Sequence, residues 1–207
     1  WNSQYIISLA TMLKEKAPQL TIVLGGPEAE GQARNLLTEY PMIDLVLCGE
    51  GEYVFPLFYQ AWAKGMDYVQ VPGLYYRQQG VIKNNIAAPL LLMDDLPFPY
   101  EEENLQDFAH HILYYESSRG CPFTCSYCSS AGQKPRLRSM DFVKEDLKQI
   151  LHSNARTVKF VDRTFNWPVD RACEIITFLL QHYRPGICFH MEMAPDLLDE
   201  KMLALLS

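Results

Sequence analysis

Long apolar runs are missing from this chain of 207 residues. None approaches the roughly 18 to 20 residues that a membrane-spanning helix requires, and no basic-then-apolar leader with a small-residue cleavage site is present. Positive charge is scarce as well. Only 18 Lys and Arg stand against 25 Asp and Glu, a formal net charge of -7. That balance argues against nucleic acid as the main partner, whatever local patch Lys134 to Arg138 makes. A second Cys-x-x-Cys pair is also absent, and a closed structural zinc site usually needs two such pairs. The hydrophobic share of 48% with 21% charged residues is ordinary globular usage. These features lead to the expectation of a soluble, cytoplasmic protein with no membrane partner. The chain opens on Trp1 and stops at Ser207 just after an apolar helical stretch, so it is expected to be a piece of something longer.

What is present is an alternation of helical and strand patterns. Tyr5, Ile6, Leu9, Met12 and Leu13 fall at helical spacing, and "LTIVLGG" follows as a short apolar run closed by two glycines. The pattern repeats with a helix in "EAEGQARNLLTEY", a strand in "IDLVLCGEGE" and a helix from Val54 to about Gly65. Helices alternating with fully apolar strands predict a parallel sheet covered on both faces. "GLYYRQQGVIKN" reads as a hairpin turning at Gln79 and Gly80, and "MDDLPFPYEEEN" as an irregular acidic connector. From Ile112 the alternation resumes with strand "ILYYESSRG", a loop, helix Met140 to His152, strand "TVKFVD", helix Arg171 to Tyr183, strand "ICFHMEM" and a helix from Pro195. The expected organisation is an α/β chain with residues 1–72 as one domain, 73–111 as hairpin and linker, and 112–207 as part of an α/β barrel.

Three of the six cysteines lie within "SSRGCPFTCSYCSS", at positions 121, 125 and 128. Clustered cysteines in a cytosolic chain point to metal or catalysis rather than disulfides. The loop follows the first barrel strand, and loops at the carboxyl ends of such strands build active sites. Thiolates are the preferred ligands of zinc and of iron-sulfur clusters. Three of them on a four-iron cluster leave one iron open to a substrate or cofactor. Cys48, Cys173 and Cys188 sit in apolar runs and are expected to be buried and inert. Arg119 suits either a charge partner for an anionic cluster or a solvated position, while Arg136 and Arg138 read as surface charges.

The motif Cys121-Pro122-Phe123-Thr124-Cys125-Ser126-Tyr127-Cys128 resembles that of the radical S-adenosylmethionine (radical SAM) enzymes, including the aromatic residue before the third cysteine. The resemblance implies that Cys121, Cys125 and Cys128 hold a four-iron, four-sulfur cluster whose open iron is chelated by S-adenosylmethionine. An external electron donor then drives cleavage to methionine and a 5'-deoxyadenosyl radical. It also implies an adenine neighbour in Tyr127, with a plain packing aromatic as the alternative. The segment "VKFVDRTFN" resembles one found in cobalamin-associated members and puts Asp162 near the cluster, against a turn or helix-capping aspartate. Glu192 is implied at the ribose or the methionine amine, against a simple salt bridge, and His190 shares its face.

Residues 1 to about 70 resemble the last units of the cobalamin-binding domain that precedes the barrel in this branch, which makes cobalamin a further implied cofactor. Gly25 and Gly26, with Gly49 and Gly51, would border the nucleotide tail of the corrin. The family's Asp-x-His-x-x-Gly signature is absent and no histidine precedes His110, so a purely structural domain stands as the alternative. The function implied is that of a radical SAM enzyme, an oxidoreductase or transferase resembling cobalamin-dependent methyltransferases. A non-catalytic zinc or iron-sulfur module and a cobalamin or protein interaction scaffold are the alternatives. The 207 residues alone are expected to be inactive and to favour dimerisation through open sheet edges.

Overall fold

The computed structural model describes residues 2–100 and 105–207. They form two compact units that divide between Leu91 and Leu92. The acidic connector expected around Met93 to Asn104 falls partly outside the described residues. No helix among the described residues is long and apolar enough to cross a membrane.

The first unit runs α1 (Ser3–Lys16), β1 (Val23–Gly25), α2 (Pro27–Glu39), β2 (Leu45–Leu47), α3 (Gly51–Ala63), β3 (Leu74–Gln78) and β4 (Val81–Asn84). The sheet order is β1-β2-β3-β4, with β1 and β2 parallel and the other neighbours antiparallel. All three residues of β2 are buried, because a helix covers each face. Val46 packs with Ala29, Ala33 and Leu37 of α2, while Leu45 and Leu47 pack with Val54 and Phe58 of α3. The i, i+4 spacing of those helical residues is what puts them on one face.

The hairpin belongs to this sheet, although the sequence pattern puts it in a connector of residues 73–111. Its turn is as expected, with positive φ at Gln79 (53°) and Gly80 (76°), a type I′-like pair that matches strand twist. Two contacts dock it. Gly73 lies so close to β2 that an added Cβ would stand 2.0 Å from the Cys48 carbonyl oxygen. Arg77 donates to the carbonyls of Leu37, Tyr40 and Ile43, two of which lie at or just past the carboxyl end of α2, where carbonyls lack helical partners.

The second unit runs β5 (Ile112–Tyr115), β6 (Ser118–Arg119), β7 (Arg136–Leu137), α4 (Met140–His152), β8 (Thr157–Phe160), α5 (Val169–Gln181), β9 (Cys188–His190) and α6 (Glu200–Leu206). Strands β5, β8 and β9 form a parallel sheet in that order, three successive β/α units of a partial barrel. Pleat alternation sorts their residues. Leu113, Tyr115, Val158 and Phe160 are buried in one core with Val143, Leu147 and Ile150 of α4 and Ala172, Ile175 and Leu179 of α5. Ile112, Tyr114, Cys188 and His190 occupy the opposite, solvent-facing side. Cys188 is therefore exposed, contrary to the expectation from its apolar run, because it alternates with the core-facing Phe189. Cys48 and Cys173 are buried as expected. Burial, helped by Glu30, pushes the Cys48 thiol up to about 11, so it is protonated at neutral pH. The last expected helix is preceded by a short 3-10 turn at Pro195–Leu197, and α6 starts at a cap where Met202 donates its N–H to Asp199.

Candidate functional site

The cysteine loop leaves the carboxyl end of β5 through a narrow neck. Strands β6 and β7 pair antiparallel, Ser118 with Leu137 and Arg119 with Arg136, and Arg138 N–H donates to the Ser117 carbonyl at 3.0 Å. Two-residue strands have no periodicity, so this neck has no signature in the sequence. Inside it, Cys121 N–H donates to Gln133 O at 3.0 Å and Cys128 N–H to Cys125 O at 3.1 Å. Gly120 makes the closure possible. Its φ is +97°, and a Cβ there would stand 2.7 Å from Lys134 O and 2.9 Å from Gln133 O. Gly120→Ala should cost about 1–3 kcal/mol in backbone strain alone. Faster hydrogen exchange confined to the neck, at residues 117–121 and 134–138, would show it; unchanged exchange would count against this reading of the turn.

A buried polar network holds the neck from below. The Asp162 carboxylate, 1% exposed, accepts from Ser117 N–H (3.0 Å), Ser117 Oγ (2.6 Å) and Ser118 Oγ (2.6 Å). Burial pushes this carboxyl upward, opposed by those hydrogen bonds and by the Arg171 charge. Arg171 of α5 reaches both sides of the neck, donating to Ser117 O at 3.1 Å and to Arg138 O at 2.7 Å. Arg138, 5% exposed, is no surface charge. Its guanidinium pairs with Asp146 of α4 at 2.7 Å and donates to the carbonyls of Met93 and Leu96. Tyr115 also donates its hydroxyl to Asp146 at 2.9 Å. Burial first, then the Asp146 carboxylate, pushes that phenol upward.

All three loop cysteines are free thiols, with Cys121 half-buried and Cys125 and Cys128 exposed. Among the described residues no trio of His, Cys, Asp or Glu is drawn into a metal-binding arrangement. The donor set suits a cluster: three sulfurs free of disulfides on one short loop, with a fixed neck and an accessible tip. Tyr127 stands 91% exposed beside them. Asp162 sits under the loop with its oxygens engaged by Ser117 and Ser118. Glu192 pairs with Lys159 at 3.5 Å on the solvent-facing side. Arg119 pairs with Glu116 at 2.6 Å. In the first unit Gly25 ends β1 and Gly26 follows it, while Gly49 and Gly51 follow β2, at the same end of the parallel pair. A Cβ on Gly26 or Gly51 would meet nothing within 4 Å, whereas one on Gly49 would meet Ala88 at 2.9 Å. Gly49 thus has a packing reason of its own.

No family model matches the chain. It is 32% identical over 178 residues to an uncharacterized methyltransferase of Pyrococcus horikoshii, covering 81% of this chain and 39% of that protein. To the cobalamin-dependent radical SAM methyltransferase TokK of Streptomyces tokunonensis it is 30% identical over 142 residues, 62% of this chain and 20% of that one. The chain thus spans about two fifths or less of these relatives. Among solved structures, the radical S-adenosylmethionine methyltransferase TsrM from Kitasatospora setae, with cobalamin and a [4Fe-4S] cluster bound, superposes with a TM-score of 0.71. That match covers 97% of this chain and 42% of TsrM at 17% identity, a likeness of fold across both units. With its three-cysteine loop at the carboxyl end of β5, the chain belongs to the radical S-adenosylmethionine family, in the cobalamin-associated branch.

Proposed function

We propose that the full-length protein is a radical SAM enzyme of the cobalamin-dependent, methyltransferase-like kind. The observation that carries this reading is the loop of three free thiols on a braced neck at the carboxyl end of a barrel strand. Cys121, Cys125 and Cys128 would hold the cluster. Such a cluster would supply the one-electron reduction, drawn from an external donor, that cleaves the sulfonium of S-adenosylmethionine. The chain's own residues bind and orient. Tyr127, exposed next to Cys128, offers a flat face to adenine, and Glu192 offers a carboxylate to the ribose hydroxyls or the methionine ammonium. Asp162 acts one step back, keeping Ser117 and Ser118 in place.

Cobalamin would be met by the glycine loops after β1 and β2. Ligands of open α/β sheets bind outside the carboxyl ends of parallel strands, and the open space over Gly26 and Gly51 leaves room for close backbone approach. The Pyrococcus horikoshii and Streptomyces tokunonensis relatives are both described as methyltransferases, which supports methyl transfer as the reaction class.

Anaerobic reconstitution of the full-length protein with iron and sulfide tests the reading. The expected result is a brown protein that, once reduced, releases 5'-deoxyadenosine from S-adenosylmethionine. Zinc in place of iron by elemental analysis would instead favour a structural metal module, and cobalamin retention without cleavage an interaction scaffold.

A further inference from the structure

The loop that follows β8, "VDRTFNWP", packs beneath the cysteine loop and is anchored at Asp162, Phe165 and Asn166. Asp162 holds Ser117 and Ser118. Phe165, 1% exposed, packs edge-on against Phe160 at 5.0 Å between ring centroids, and its N–H donates to Glu192 O at 2.9 Å. Asn166, fully buried, exchanges two hydrogen bonds of 2.8 Å with the backbone of Ala194. Between these fixed points stands Thr164, 7% exposed. Its Oγ1 lies 3.5 Å from Cys121 Sγ. A β-branched side chain has few χ1 choices, so the anchored backbone also fixes where that hydroxyl points.

In a thiol the sulfur and the hydroxyl can each donate to the other. A metal-bound thiolate only accepts, so the direction is then settled: the hydroxyl donates. Hydrogen bonds to cluster sulfurs are among the determinants of reduction potential, because they favour the more negatively charged reduced state. From this geometry we infer that Thr164 is a positioning residue for the cluster, donating to Cys121 Sγ and raising the potential at which the cluster accepts its electron. The inference rests on the cluster reading above. It assigns to a residue outside the cysteine motif a part in setting the redox threshold of the enzyme.

The test is a redox titration of the reconstituted full-length holoprotein, followed through the spectrum of the reduced cluster, for the parent and for Thr164→Val, Thr164→Ala and Thr164→Ser. Val and Ala lose the hydroxyl and should shift the reduction equilibrium about tenfold toward the oxidised form, about 59 mV downward for a one-electron couple. Ser keeps the hydroxyl and should stay within about twofold of the parent. A merely structural role would change cluster yield or thermal stability without moving the potential. Parental potentials in both Val and Ala overturn the inference, and so does a shift in Ser as large as that in Val. A parent that takes up no iron-sulfur cluster overturns the cofactor reading itself, which is a different result from a loaded parent indifferent to the hydroxyl.

Discussion

Full-length protein carrying Cys125→Ala should take up at least about tenfold less iron-sulfur cluster than the parent under the same anaerobic reconstitution, with its apo-protein stability unchanged. The separation of those two readouts follows from where the residue sits. Cys125 is exposed, so its sulfur contributes little to the packing that holds the loop. The hydrogen bond that shapes the Cys125 to Cys128 turn uses the Cys125 carbonyl, which accepts from Cys128 N–H at 3.1 Å, and an alanine keeps that carbonyl. What the substitution removes is one of three ligands to a centre that has no other cysteine nearby to recruit. Because a site for such a centre is completed by its ligands together, affinity depends on all three sulfurs. Cys188→Ala is the matched control. That cysteine is also exposed, but it lies on β9, and its loss should leave cluster uptake as in the parent. A Cys125→Ala protein that binds as much iron as the parent would remove the basis for a radical SAM assignment of this loop.

Much of the scaffold was legible because the relevant signals are local. The helix Met140–His152 is found where its 3.6-residue pattern places it, since Val143, Leu147 and Ile150 must share one face to reach the core. The turn at Gln79 and Gly80 follows from a chemistry confined to two residues. Signals that depend on distant partners were not legible. The hairpin's place in the first sheet hangs on Gly73 meeting Cys48 and on Arg77 meeting α2, contacts about 25 to 40 residues away in sequence. Arg138 closes a run of basic residues that reads as solvated, and only the fold reveals Asp146 opposite it. Within the site, the cysteines announced themselves by spacing, whereas Arg171 carries no motif and Thr164, although inside "VKFVDRTFN", has nothing in the sequence that pairs it with Cys121. They matter because α5 and the β8 loop deliver them under the neck.

The largest loss of stability in the second unit should come from Asp146→Leu, about 3–5 kcal/mol. Leucine is apolar and of suitable size for a buried helical position, so the loss does not come from an empty space. It comes from the partners left behind. Arg138 and Asp146 side chains are only 6% and 5% exposed, and a guanidinium stranded at that depth has no water to replace the carboxylate. The Tyr115 hydroxyl loses its acceptor in the same step. A double substitution tests that explanation. Replacing a whole buried pair with apolar groups is often close to neutral, yet Arg138→Met with Asp146→Leu should recover only part of the loss here. Arg138 also serves the carbonyls of Met93 and Leu96, which the double variant leaves unpaired. With a urea slope of about 1–3 kcal/mol/M, the single variant should unfold at least about 1 M earlier. An unfolding midpoint within experimental scatter of the parent would mean that the ion pair is not what holds the arginine inside. Because Arg138 O is also the acceptor that ties Arg171 across the neck, the same variant should loosen the stem of the cysteine loop. Hydrogen exchange at residues 134–138 should therefore accelerate well before the unit unfolds, connecting an ion pair on α4 to the grip on the cluster ligands.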